Sequence, residues 1–211
     1  MLYRDNGLDE AKMRKPYCGI KEQSYVYEKS TLRIVNKEAF FLRNVRFVIR
    51  KGTMAQKKIE GLQIRPLREA EDLPMDILLL ADPNEDMVRE YCSEGRVYIA
   101  EIGTIAVGVI AGLRTRPGCF EIMNVAVLTE YQNRGIGRSL VEYALERAKE
   151  DGYRSAEIGT GNPGVQQMLL YQKCGFRIVG VEFDFFRRYC KEPIFENGIE
   201  CRDMIRMSLF F

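Results

Sequence analysis

The strongest periodic signal in the chain is helical. Ile136, Leu140, Val141, Ala144, Leu145 and Ala148 recur at intervals of three and four, which places them on one stripe of an amphipathic helix that stops near Gly152. Before it, Gln63-Ile64-Arg65-Pro66 reads as a short first strand. Glu69, Glu71 and Asp72, followed by apolar Leu73, Ile77, Leu78 and Leu80, predict a helix. Asp82-Pro83-Asn84 breaks that helix, and Asp86 to Glu94 predicts a second short one. Val97–Glu101 and Ile105–Leu113 are β-rich runs around Gly103 and predict a hairpin, with a further strand over Cys119–Leu128. After the long helix come a strand at Ser155–Gly159, a helix at Val165–Lys173 and strands at Ile178–Phe186 and Arg202–Phe210. The order β-α-α-β-β-β-α-β-α-β-β predicts a mixed sheet with helices packed on it, of the α/β or α+β class.

Regular patterning begins near Ile59. Residues 1–53 hold twelve Lys/Arg against six Asp/Glu, and residues 54–211 hold twenty against twenty-four. The expected division is therefore a basic N-terminal extension over 1–53 and a folded domain over 54–211. The extension reads either as a loose tail or as translated upstream sequence. Met54 stands just before the domain, and the preceding Arg50-Lys51-Gly52 can be encoded by purine-rich codons of the kind found before bacterial start sites. A third reading has Phe40, Phe41, Val45, Phe47 and Val48 docking on the domain as a strand or short helix.

Composition narrows the chemistry. With 46% hydrophobic and 29% charged residues, wholesale disorder is excluded. No apolar run is long enough for a membrane span, and the first residues carry acids and no apolar stretch of a secretory signal. The six cysteines form no CxxC pair, so they read as reduced cytosolic thiols, with no disulfide frame or zinc site. The chain contains no histidine. That excludes Ser-His-Asp triads, Cys-His dyads, HExxH zinc sites and any histidine base. Proton chemistry must run through Glu, Asp, Tyr, Cys, Lys or water. A mildly acidic body suits a cationic small molecule or peptide better than nucleic acid.

One segment carries most of the functional signal. The strand Val125-Ala126-Val127 runs through Leu128-Thr129-Glu130-Tyr131 into Gln132-Asn133-Arg134-Gly135-Ile136-Gly137-Arg138-Ser139. A strand ends, a short loop follows, and two glycines open a helix. Glycine allows close backbone approach to a ligand, and the first helical turn offers unpaired N–H groups with a partial positive charge. Arg134 and Arg138 add charge, so the segment suits a pyrophosphate; the alternative is a glycine-containing helix entrance with solvated arginines. It is neither a P-loop, lacking GK[ST], nor a Rossmann fingerprint, since Leu140 stands where a third glycine would be. Gly159-Thr160-Gly161-Asn162-Pro163-Gly164 does spell G-x-G-x-x-G. However, Pro163 removes an N–H from any anion cradle, and too little chain follows to complete a dinucleotide domain.

Taken together, Glu121–Val127, Gln132/Gly135/Gly137, Asn162 and Leu170-Tyr171-Gln172-Lys173-Cys174-Gly175-Phe176 resemble the GNAT superfamily of N-acetyltransferases. The [Q/R]-x-x-G-x-[G/A] motif is met by Gln132, Gly135 and Gly137, and the L-Y-x-K-x-G-F signature is matched at every fixed position. The resemblance covers about residues 61–211 and implies a seven-stranded, mostly antiparallel mixed sheet flanked by helices, whose fourth and fifth strands splay apart around acetyl-CoA. It implies that backbone at Val125 and Val127 pairs with the pantetheine arm. The pyrophosphate would sit on the segment of Gln132, Asn133, Arg134, Gly135, Ile136, Gly137, Arg138 and Ser139, and Asn162 would contact the pantetheine side; Asn162-Pro163 reads equally as turn chemistry.

Acetyl transfer to an amine needs proton removal from the acceptor and protonation of the departing thiolate. By the resemblance, Tyr171 would donate a proton to the CoA sulfur, and a core aromatic is the alternative. Glu121 matches a position where some members carry a general base, and a solvent-facing strand carboxylate is the alternative. No metal is implied. The acceptor pocket is expected from Leu78–Glu94 and from Glu182–Asp203. The latter carries Glu182, Asp184, Glu192, Glu196, Glu200 and Asp203 with Phe183, Phe185, Phe186, Tyr189 and Phe195 interleaved, a mixture suited to an amine. The expected protein is a cytoplasmic acetyltransferase acting on a polyamine or aminoglycoside-like amine, with homodimerisation and without nucleic-acid or membrane partners. The alternatives are a protein or peptide amine acetyltransferase and a non-catalytic acyl-CoA sensor.

Overall fold

The computed structural model describes residues 59–190 and 192–211; the expectation of a separable basic extension over 1–53 falls outside them. The strands are β1 (Leu62–Pro66), β2 (Arg96–Ile102), β3 (Ile105–Arg116), β4 (Cys119–Val127), β5 (Ser155–Gly161), β6 (Arg177–Glu182), β7 (Phe195–Glu196), β8 (Ile199–Glu200) and β9 (Met204–Phe210). Seven of them form one sheet in the order β1-β2-β3-β4-β5-β9-β6, while β7 and β8 make a separate small hairpin. Pairing in the large sheet is antiparallel except between β4 and β5, which run parallel. The expected fold class is the observed one.

The helices are α1 (Met75–Leu78), α2 (Glu85–Glu94), α3 (Ile136–Glu150), α4 (Val165–Lys173) and α5 (Phe185–Tyr189). The predicted stripe of α3 is its buried face, and it packs with Tyr171 and Phe176 against Tyr98, Ile110, Phe120, Ile122, Ile158 and Met207. On the other face, Ile77, Leu78, Val88 and Tyr91 of α1 and α2 cover Val97, Val109, Ala111 and Ala126. Burying each such aliphatic side chain contributes about 1.5–3 kcal/mol. The two helical layers therefore clamp the middle of the sheet from opposite sides.

Three sequence expectations are corrected. The helix expected across Glu69–Leu80 is reduced to Met75–Leu78, because Pro74 disfavours helical backbone before it. Glu71 serves instead as a partner for Arg65, whose guanidinium also holds Glu101 on the neighbouring strand at 2.6 Å. The strand expected over Ile178–Phe186 ends at Glu182. Asp184 there takes a left-handed backbone (φ 57°) and opens α5, with its N–H donated to Asp203 Oδ1 at 2.8 Å. The β7–β8 hairpin, two residues per strand, was not expected.

A bulge and a divergence shape the centre of the sheet. The β4–β5 ladder runs from Cys119↔Ser155 to Ile122↔Ile158 and stops. Beyond it β4 pairs only with β3 and β5 only with β9, so the two strands splay as the resemblance implies. The β3–β4 register shifts at Ala111/Gly112, opposite Met123. A side chain at Gly112 would meet the Phe120 ring at 2.5 Å and the Glu121 carbonyl at 2.7 Å, so only glycine admits the strands this closely.

Candidate active site

The β4–α3 connection has the geometry of an anion seat. Thr129–Tyr131 form a single 3-10 turn, and Gln132 Nε2 then donates to the Val127 carbonyl at 2.9 Å, folding the loop back on the strand end. Asn133 (φ 58°) and Gly135 (φ 93°) both take left-handed backbone on either side of Arg134. Such alternation turns successive N–H groups toward one concavity. No side chain caps α3. Among the described residues, nothing accepts from the N–H groups of Ile136, Gly137 or Arg138, whereas Ser139 N–H returns to the Gly135 carbonyl at 3.0 Å. Ile136 is fully buried beneath the seat. Unsatisfied N–H groups at the positive end of a fifteen-residue helix fit a phosphate group.

The two arginines of the segment are already engaged. Arg138 Nε donates to Glu142 at 2.8 Å. Arg134 donates to the Glu130 carbonyl at 2.8 Å and lies 5.2 Å from the Tyr131 ring centroid. The charge of Arg138 is therefore balanced by Glu142, whereas Arg134, held by a carbonyl and a ring, keeps its full charge beside the backbone N–H groups.

Beyond the end of the ladder, β4 and β5 each turn an edge without a ladder partner toward the split. Leu128 N–H donates to Val107 of β3, so by strand alternation the N–H and C=O groups of Val125 and Val127 face away from β3, toward the opening. Among the described residues, only the Val127 carbonyl of these four groups is engaged, by Gln132. On the far side, Asn162 spends its side chain on the chain before β9. Its Oδ1 accepts from the N–H groups of Arg202 (2.8 Å) and Asp203 (3.0 Å), and its Nδ2 donates to the Glu200 carbonyl. The turn-forming role is thus the one its side chain performs here.

Tyr171 and Glu121 lie on opposite faces of the sheet. Tyr171 is 6% exposed, its ring edge-on to Phe176 at 6.3 Å, within the cluster under α3 and α4. No described residue hydrogen-bonds its hydroxyl, and burial pushes the phenol above its ordinary value of 10. Glu121 stands one residue before the end of the β4–β5 ladder, beside Glu157 of β5 in register. Both line an open groove of about 600 Å³ on the face opposite α3, with Arg116, Val179, Val181, Glu182 and Arg206. Arg206 donates to Glu121 Oε1 at 3.1 Å and to Glu182 Oε2 at 2.9 Å, and Arg116 pairs with Glu157.

Most acids expected in an acceptor pocket are elsewhere. Asp184 pairs with Arg202 at 2.6 Å and Glu200 with Arg187 at 2.8 Å, Glu196 accepts from Gln167 at 2.9 Å, and only Glu182 of the group lines the groove. Sequence reasoning passed over Asn124. It is 2% exposed and donates to the Leu78 carbonyl (3.0 Å) and the Tyr91 hydroxyl (2.8 Å), tying α1 and α2 to β4 at the bulge. A lone amide inside the apolar run of β4 was the available signal. Arg206 was also passed over; nothing in sequence marks it.

Burial raises the thiol pKa of Cys92, Cys119, Cys174, Cys190 and Cys201, with Cys92 and Cys174 pushed up to about 11. None of these thiols is activated as a nucleophile. Among the described residues, no group of three or more His, Cys, Asp or Glu is placed to hold a metal ion, and no helix is long and apolar enough to cross a membrane.

Comparison with known proteins agrees with this geometry. The model of the acetyltransferase (GNAT) family matches residues 64–176. The uncharacterized N-acetyltransferase YvbK of Bacillus subtilis is 48% identical over 151 residues, covering 72% of this chain and 97% of the relative. A solved Bacillus subtilis acetyltransferase in complex with CoA is 49% identical, covers 71% of this chain and 99% of its own, and superposes with a TM-score of 0.68. A GNAT family acetyltransferase from Elizabethkingia anophelis with acetyl-CoA bound is 37% identical over 72% of this chain and 100% of its own, with a TM-score of 0.71. The chain therefore belongs to the GNAT acetyltransferase family and is an acetyl-CoA-dependent N-acetyltransferase.

Proposed function

We propose that the acceptor is the primary amine of a small cationic molecule, of polyamine or aminoglycoside-like character, and that the acetyl group passes to it directly. The observation that carries this reading is the placement of Glu121. Its carboxylate is at the apex of the β4–β5 split, on the face that opens into an acid-lined groove. In this reading the N–H groups of residues 133–138 hold the pyrophosphate, and the free edge at Val125 and Val127 pairs with the pantetheine arm, which brings the thioester to the apex.

Glu121 takes the proton from the acceptor ammonium, directly or through water, and the amine nitrogen then attacks the thioester carbonyl. As the C–N bond forms and the C–S bond breaks, the nitrogen sheds its second proton to solvent, and Tyr171 gives its phenolic proton to the leaving sulfur and regains one from solvent. Raised by burial, the phenol stays protonated at neutral pH, which an acid requires. The high thiol pKa of Cys174, three residues from Tyr171, supports direct transfer over a covalent acetyl-cysteine.

A coupled thiol-release assay across polyamines, aminoglycosides, amino acids and N-terminal peptides tests the proposal. Turnover concentrated among di- and polycations is expected. Turnover confined to peptides would replace the acceptor assignment, and binding of acetyl-CoA without turnover on any amine would make the protein a sensor.

A further inference from the structure

The groove already contains a cation. The Arg206 guanidinium bridges the Glu121 and Glu182 carboxylates at 3.1 and 2.9 Å and lies 5.3 Å from the Phe185 ring centroid. Two carboxylates and an aromatic face around one positive group are the elements of a cation-binding cage. The Arg206 side chain is 38% exposed, so the pair is neither locked in the core nor free in solvent. Residues from three strands and a helix converge here: Glu121 on β4, Glu182 on β6, Arg206 on β9 and Phe185 on α5.

We infer that Arg206 is a specificity-determining residue: its guanidinium occupies the seat that the acceptor's cationic group takes, and the acceptor binds by exchanging places with it. This rests on the reading of the groove as the acceptor site. The groove's charge supports exchange over recognition of an anionic acceptor. Glu121, Glu157 and Glu182 line it with Arg116 and Arg206, and Arg188 reaches Glu182 Oε1 at 3.1 Å; an acceptor carboxylate reaching for Arg206 would meet the two acids already bonded to it. An incoming ammonium or guanidinium replaces like with like, keeps both carboxylates paired, and releases Arg206 to solvent. It also places the acceptor beside Glu121, the group that takes its proton. An acceptor with two cationic groups is favoured, one in the seat and one presented to the thioester. The competing view makes Arg206 a structural clamp that relieves repulsion between Glu121 and Glu157, which are adjacent in register.

The test compares the full-length protein with Arg206→Met, which keeps the aliphatic stem and removes the charge, Arg206→Lys, which keeps a cation, and Glu182→Gln, which weakens the seat. Spermidine and glycylglycine binding are measured by calorimetry with CoA present, and KM and kcat are measured separately with acetyl-CoA. Arg206→Met is expected to bind spermidine about tenfold more tightly, the scale set by exchanging two part-exposed ion pairs. Arg206→Lys should stay near wild type, and Glu182→Gln should bind spermidine more weakly. Unchanged or weaker spermidine binding in Arg206→Met overturns the inference, as does failure of both wild type and Arg206→Met to bind it. A selective loss of glycylglycine binding in Arg206→Met also overturns it, by making Arg206 a carboxylate receptor. The proposed chemistry is read separately: tighter spermidine binding with no acetyl transfer upholds the seat and sinks the roles given to Glu121 and Tyr171.

Discussion

Replacing Tyr171 by Phe separates packing from chemistry. The ring is 6% exposed and packs edge-on to Phe176 at 6.3 Å, and Phe keeps that contact. The hydroxyl has no described hydrogen-bond partner, so its removal breaks no bond and should change stability by less than about 1 kcal/mol. Emptying the site with Tyr171→Ala would cost about 3–5 kcal/mol and confuse the result. Loss of a general acid lowers kcat by about 10²-fold or more, equivalent to about 2.7 kcal/mol of barrier at 1.36 kcal/mol per tenfold. In the proposed role the phenol acts only as the C–S bond breaks and does not hold the cofactor, so the acetyl-CoA Kd should stay at the wild-type value. Steady-state kinetics on the preferred amine, with calorimetry for acetyl-CoA and a thermal melt, provide the assay. A folded Tyr171→Phe enzyme with wild-type kcat would refute the assignment and leave Tyr171 as packing.

Three further outcomes are expected. In the proposed role the acid form of Tyr171 is the active one, and burial raises its pKa above 10, so its ionisation should cost no activity until pH rises past 10; a kcat profile losing an essential acid well below that would exclude Tyr171 as its source. Asn124→Ala removes the bonds to the Leu78 carbonyl and the Tyr91 hydroxyl along with one buried, unpartnered amide oxygen. It should lower unfolding stability by about 1–2 kcal/mol, read as a shifted denaturant midpoint at unchanged slope, and an unshifted midpoint would show that the tie contributes nothing. A chain shortened to Met54–Phe211 should keep its melting temperature and acetyl-CoA affinity, and loss of either would make residues 1–53 structural.

What the sequence disclosed followed how local each interaction is. The α3 stripe, the loop before it and α4 are set by contiguous residues, and all three were readable. The stretch before α1 is the exception, since Pro74, which stops the helix, is a local signal; what no local pattern shows is that Glu71 answers to Arg65, which also holds Glu101 on another strand. The end of β6 was misread because the turn at Asp184 depends on Asp203. The hairpin of β7 and β8 is too short to show a period. Among the candidate site residues, Glu121 is singled out only by the resemblance, at a position where some family members carry a general base. Arg206 could not be singled out, since it is 85 residues from Glu121 in sequence and meets it only because β9 inserts between β5 and β6. Asn162 carried a motif position, but its side chain is claimed by the backbone before β9.

The central claim, that backbone N–H groups opening α3 hold the pyrophosphate of acetyl-CoA, is tested most directly at Gly137. Gly135 is a poor choice, because its φ of 93° strains any other residue. Gly137 is the second residue of α3, and a Cβ there would lie 3.6 Å from Leu170 and 3.8 Å from Val127, ordinary contact distances. An acid in the first helical turn also favours the helix by about 0.3–1 kcal/mol. Gly137→Asp should therefore fold with a melting temperature equal to or above wild type while placing a negative charge where phosphate must sit. Calorimetry of acetyl-CoA against the wild type and Gly137→Asp is predicted to show binding in the first and none in the second. Equal affinity in a folded Gly137→Asp would contradict the account.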